Sequence, residues 1–203
     1  MLILSHFPSF WTPPSFNAIL IPLSQLVLHP DVERVLFDPA AIRKRVGELG
    51  RQISQDYAGR ELTLVGILKG SFVFLSDLVR AVNPGVSVDF VCLASYEGRA
   101  SSGVVRFLLD LRDSAEGRDL LIVEDIVDTG LTLHYLLDNL RTRNPRSLEV
   151  CSFLSKAECR KASVPVRYVG FEIPNHFVVG YGLDYNERYR ELPYVGVLRS
   201  GGE

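Results

Sequence analysis

Residues 120–133 read LLIVEDIVDTGLTL: four apolar residues run into the adjacent carboxylates Glu124 and Asp125. A third carboxylate, Asp128, follows, then Thr129, Gly130, Leu131 and Thr132. Leu133, Leu136, Leu137 and Leu140 continue at helical spacing. A strand-length apolar run, a polar turn with a glycine and an amphipathic helix make half of a βαβ unit. The same grammar holds on both sides. Upstream, LTLVGIL (62–68) and SVDFVCLAS (87–95) are strand-like, and Phe72, Leu75, Leu78, Val79 and Val82 recur between them at helical spacing as far as Pro84-Gly85. Asp38 before Pro39 predicts a helix N-cap with proline in the first turn, and Ile42, Val46, Leu49 and Ile53 are its buried stripe. Downstream, SLEVCSFL (147–154) and RYVGFEI (167–173) are two more strands. Continuous apolar strands alternating with amphipathic helices predict an α/β fold, a twisted and mainly parallel sheet flanked by helices.

Composition narrows the class. The 203 residues carry 22 Lys+Arg against 24 Asp+Glu, with 47% apolar residues, an ordinary globular balance. There is no basic excess of the kind a nucleic-acid binder shows, so no nucleic-acid partner is expected. No apolar run is long enough for a spanning helix, so no membrane is expected either. Cys92, Cys151 and Cys159 include no CxxC pair, which fits a reduced, cytoplasmic setting. The first 28 residues contain no Asp, Glu, Lys or Arg but hold Pro8, Pro13, Pro14 and Pro22. They lack the basic region of a signal peptide. They read as an extension, 1–28, ahead of a single domain, 29–203.

Open α/β sheets bind ligands at the carboxyl ends of their strands. At that edge, residues 128–132 offer hydroxyls, a glycine and free amides at a helix N-terminus, the parts of a phosphate cradle. Three acids at the same place would repel a bare phosphate. A ligand that also presents hydroxyls, or brings magnesium, reconciles the two.

VEDIVDTG closely resembles the phosphoribosyl pyrophosphate signature of the type I phosphoribosyltransferases. The resemblance implies that Glu124 and Asp125 hold the ribose hydroxyls. It implies that Asp128, Thr129, Gly130, Leu131 and Thr132 wrap the 5-phosphate, and that terminal segments form a small hood over the sheet. LKGSF (68–72) resembles the family's pyrophosphate loop, with Lys69 and Gly70 as ligands and a Leu68–Lys69 peptide that can be cis. Lys156, with IPNHFVVGYGLDYNERYRELPYVGVL (173–198), resembles the hypoxanthine phosphoribosyltransferases. By that resemblance Lys156 donates to the purine 6-oxo group, Phe177 stacks on the base and the Val178 backbone meets the ring edge. Asp184 joins Glu124 and Asp125 around magnesium (Mg²⁺). Arg190 reaches the pyrophosphate with Arg160 assisting, and Ser95 and Tyr96 belong to a mobile loop running to about Arg106.

The implied reaction is transfer of phosphoribosyl from phosphoribosyl pyrophosphate to a ring nitrogen of a 6-oxopurine base, with Asp128 accepting or sharing the purine proton. Relatives of this kind form homodimers or homotetramers. The sequence departs from the family pattern at KAECRK (156–161), at ASYEG (94–98) and in residues 1–28. Two rivals stay open. One is a phosphoribosyl-pyrophosphate-sensing regulator of nucleic acid on the same fold, which should add a basic face. The other is a transferase for another base, such as adenine, orotate or uracil. Of the histidines, His134 reads as structural and His176 adjoins the proposed base pocket.

Overall fold

In the computed structural model, which describes residues 27–83, 85–95 and 105–199, the Asp38 carboxylate accepts from the amides of Ala40 and Ala41, both at 2.8 Å. It opens helix α1 (Pro39–Asp56) where the sequence predicts. Strand β1 (Val32–Phe37) precedes it. Then come β2 (Leu62–Leu68), α2 (Phe72–Ala81), β3 (Val86–Ser95), β4 (Val105–Leu109), β5 (Asp119–Val127) and α3 (Leu131–Arg141). The chain continues through β6 (Ser147–Ser155), β7 (Tyr168–Glu172), β8 (Val178–Val179) and β9 (Val195–Leu198).

Six strands form one sheet in the order β4-β3-β2-β5-β6-β7. All pairs are parallel except β3–β4 at the edge. The period of two along each strand divides the core between the two faces. Leu62 and Leu64 of β2 with Leu121 and Val123 of β5 meet Ile42, Val46, Leu49 and Ile53 of α1 and Phe74, Leu75 and Leu78 of α2. Val65, Ile67, Leu120 and Ile122 point the other way, onto Leu133, Leu136, Leu137 and Leu140 of α3. Truncating one of these leucines to alanine would cost about 2–5 kcal/mol, so the faces are what hold the strand ends in register.

The structure departs from the sequence reading in three places. Phe72 is 45% exposed and Phe74 takes the inner position, because α2 starts at Phe72 and its buried stripe falls on 74, 75 and 78. Strand β5 does not stop at Val123. It carries Glu124 and Asp125 inside the ladder, since β6 runs alongside and pairs Glu124 with Ser152 and Val127 with Ser155. The stretch expected as loop to about Arg106 ends in β4, whose Val105 pairs with Ser95 at the end of β3. Tyr96 lies outside the described residues, as does the uncharged segment as far as residue 26. The hood is present as a three-stranded antiparallel sheet, β1-β9-β8, built from both ends of the domain.

Candidate active site

Parallel pairing of β5 with β6 decides which loops meet. Val127 lies opposite Ser155, so Asp128 and Lys156 are the next residues of neighbouring strands. Lys156 Nζ lies 2.9 Å from Asp128 Oδ2, and the Lys156 amide donates to the Val127 carbonyl at 3.0 Å. Asn175 Oδ1 stands 3.5 Å from the same ammonium. Lys156 is only 7% exposed, unlike an ordinary surface lysine.

Beyond Asp128 the chain turns through Gly130, whose φ of +78° is left-handed, directly into α3. Gly130 at the N-cap has no side chain to cap α3, and the Thr129 hydroxyl accepts only weakly from the Leu131 amide, at 3.5 Å, which leaves the next first-turn amides for an anion. Glu124, Val127, Asp128, Thr129, Gly130 and Thr132 are among the residues lining a cavity of about 130 Å³ at this turn. The Thr129 carbonyl accepts from the amides of Lys161 and Ala162, at 2.9 and 3.2 Å, which fastens the phosphate turn to the KAECRK segment. Arg160 stands on this side. Its guanidinium donates to Ser155 Oγ at 3.0 Å and its Nε is buried without a partner. Burial pulls its pKa down and the Asp128 charge raises it.

The acid pair sits behind that turn. Glu124 Oε2 is sealed from solvent and has no hydrogen-bond partner. Burial, followed by the neighbouring Asp125 charge, pushes the Glu124 pKa well above the usual carboxylate range. Burial also pushes Asp125 up, to about 6, against the Ile126 amide and Arg190, which favour its charged form, while Asp184 disfavours it. The pyrophosphate-type loop is seated on this pair. A Cβ on Gly70 would overlap the Asp125 carboxylate, and a Cβ on Gly182 would overlap the Gly70 carbonyl. The Leu68–Lys69 peptide is cis, and the buried Ser71 hydroxyl donates to the Ile67 carbonyl at 2.7 Å.

On the far side of Gly182, Arg190 donates to the Gly182 carbonyl at 2.8 Å and pairs with Asp184 at 2.8 Å. Lys69 reaches the same cluster through Glu187, at 2.9 Å. Phe177 is 54% exposed, its ring edge-on to Tyr185 with centroids 5.3 Å apart. Val178 is buried on β8. His176 Nε2 lies 3.1 Å from an Arg34 guanidinium nitrogen of β1, away from any metal-ligand cluster.

Keeping Asp125 inside the fold costs stability. Its folded pKa of about 6 lies above the unfolded value near 3.9, so the folded chain binds more protons between the two. Stability therefore falls as pH rises from about 4 to about 6. Asp125→Asn has no charge to bury and keeps an acceptor for the Ile126 amide. At about pH 7.5 we expect it to be more stable than the native chain by about 1–2 kcal/mol, after discounting for partial solvent contact. Urea denaturation should show that difference closing near pH 4. A variant less stable at pH 7.5 would contradict the electrostatic account.

Glu187, Asn175 and the Tyr181–Asp77 hydrogen bond (2.7 Å) are functional candidates that sequence reasoning missed. Glu187 precedes Arg190 by three residues in YNERYR, and that spacing alone marks nothing. A backbone signal exists only in three dimensions. Five non-glycine residues among those described have positive φ, and four of them are Tyr181, Asn186, Glu187 and Tyr189. Strained backbone of this kind gathers at functional sites.

Residues 35–186 match the phosphoribosyl transferase domain family. The hypoxanthine-guanine phosphoribosyltransferase of Dictyostelium discoideum is 55% identical over 170 residues, covering 81% of this chain and 94% of that protein. Its counterpart in Mycobacterium avium is 48% identical over 190 residues, covering 90% and 94%. A crystal structure of a hypoxanthine phosphoribosyltransferase from Staphylococcus aureus superposes with a TM-score of 0.80 at 46% identity, covering 83% of this chain and 92% of that one. The chain belongs to the phosphoribosyl transferase family, in its hypoxanthine-guanine branch, and is an enzyme. The reading as a regulator of nucleic acid gives way to the transferase.

Proposed function

We propose that the enzyme transfers the phosphoribosyl group of phosphoribosyl pyrophosphate to a ring nitrogen of hypoxanthine or guanine, releasing IMP or GMP and pyrophosphate. The observation that carries this reading is the Lys156–Asp128 pair at 2.9 Å, at the end of the strand that bears the acid pair. An ammonium has three donors and no acceptor, so it suits a 6-oxo group. Phe177 offers an exposed ring face for the base, and the Val178 backbone lines the ring edge. Asp128, beside the incoming base, takes or shares the proton of the five-membered ring as the other nitrogen attacks. Glu124 and Asp125 accept from the ribose hydroxyls, and the amides and hydroxyls of residues 128–132 hold the 5-phosphate. Lys69, Gly70 and Arg190 bind the pyrophosphate, with Arg160 assisting from beside the phosphate turn. Loss of pyrophosphate from the anomeric carbon develops oxocarbenium character, which the nearby carboxylates stabilise electrostatically.

Among the described residues no three or more His, Cys, Asp or Glu side chains converge as a metal cage. Magnesium is usually bound by one or two carboxylates, its other ligands being water and substrate oxygens. Glu124, with its unpartnered buried oxygen, Asp125 and Asp184 are the hard-oxygen donors for it. When bound it neutralises charge on the departing pyrophosphate. Excess chelator is expected to abolish turnover, and added Mg²⁺ to restore it. Full activity in chelator would remove the metal from the account.

No helix among the described residues is long and apolar enough to cross a membrane. We place the enzyme in the cytoplasm as a homodimer or homotetramer. Every motif residue lies beyond His29, which supports reading 29–203 as the transferase domain and 1–28 as an extension.

A further inference from the structure

The two cations assigned above to pyrophosphate share one carboxylate. Glu187 Oε2 lies 2.9 Å from Lys69 Nζ and Glu187 Oε1 lies 3.5 Å from the Arg190 guanidinium. Each oxygen therefore faces a different cation, much as two oxygens of one phosphoryl group would. The position is built rather than incidental. The Glu187 amide donates to Asp184 Oδ2 at 3.0 Å, and its backbone is held left-handed at φ +61°. The side chain is 65% exposed, and exposed ion pairs add little to folding. A strained glutamate there therefore has little to offer stability. Lys69 and then Arg190 hold its carboxyl below the usual carboxylate range.

We propose that Glu187 is a built-in counter-anion of the pyrophosphate subsite, competing with the diphosphate for Lys69 and Arg190. Sugar pyrophosphate must displace it to bind. It re-engages the same cations as pyrophosphate departs, so neither is left unpaired during release. The cost is weaker binding of both diphosphate ligands, and the gain is easier product departure. Purine binding, on the Lys156 side, is untouched. The inference rests on the reading that Lys69 and Arg190 hold pyrophosphate, and the test separates the two.

The experiment uses the full chain, with inorganic pyrophosphate as product inhibitor and the KM of each substrate measured in parallel. Glu187→Gln keeps the length and the left-handed backbone but removes the charge. It is expected to lower both the Ki of pyrophosphate and the KM of phosphoribosyl pyrophosphate by about two- to fivefold, with the KM of hypoxanthine unchanged. A merely structural role would not produce that split. Lys69→Ala is expected to raise the pyrophosphate Ki. If Lys69→Ala raises it and Glu187→Gln leaves it unchanged or higher, the counter-anion role is overturned while the pyrophosphate subsite stands. If Lys69→Ala leaves the Ki unchanged, the subsite assignment fails and the role of Glu187 fails with it.

Discussion

Asp128→Asn is expected to lower kcat by about 10²–10⁴, with the KM of phosphoribosyl pyrophosphate changing much less. The substitution keeps the shape of the phosphate turn and a polar atom facing Lys156, but it removes the basic oxygen. The structure adds a second consequence. The Asp128 side chain is 45% exposed, whereas its partner Lys156 is almost wholly enclosed. Without the carboxylate the ammonium has only neutral partners, the amide oxygen at position 128 and Asn175, at 3.5 Å. Some loss of stability should therefore accompany the loss of rate. Measuring kcat well below the melting temperature of the variant separates the two. A native kcat would leave Asp128 as a turn residue without a part in proton transfer.

The second large effect concerns which base is accepted. Lys156 presents donors only, so the 6-amino group of adenine would face it donor against donor. A site that leaves a buried polar group unpaired rejects such an analogue by about 10⁴–10⁵. The native enzyme should prefer hypoxanthine and guanine over adenine by several orders of magnitude in kcat/KM. Lys156→Gln offers either an acceptor or a donor, and it should lower activity on 6-oxopurines and narrow the gap to adenine. Most of the narrowing should come from the 6-oxopurine side, because Phe177 and the β8 backbone still fit those rings. An unchanged ratio would mean that Lys156 does not read the base.

How much of this was legible in the sequence depends on how local each signal is. The core stripes of α1 and α3 were fully readable, because Ile42, Val46, Leu49 and Ile53, and likewise Leu133, Leu136, Leu137 and Leu140, obey the helical period within one window. The acid pair and its phosphate turn were readable for the same reason, being contiguous from 124 to 132. The hood strands were not. VERVLF carries two charged residues and pairs with β9, at the other end of the chain, so nothing local marks it as sheet. VRFLL at β4 is an edge strand with Leu108 and Leu109 exposed, and its apolar pattern lacks an inner face to give it away. In the site, Asp128 and Lys156 are separated by 28 residues and meet only through the β5–β6 register. The resemblance supplied the role proposed for Lys156, but its burial and its pairing with Asp128 are properties of the sheet. Glu187 and Asn175 gave no local signal because the residues they contact, Lys69 and Lys156, lie on other loops.

The most direct measurement is a steady-state assay of hypoxanthine, guanine, xanthine, adenine and uracil, each with phosphoribosyl pyrophosphate and magnesium. The account predicts that hypoxanthine and guanine are converted to their nucleoside monophosphates with one pyrophosphate released per turnover. It predicts adenine and uracil turnover lower by orders of magnitude. Preferred use of adenine or uracil, or no pyrophosphate release with any of the five, would contradict it.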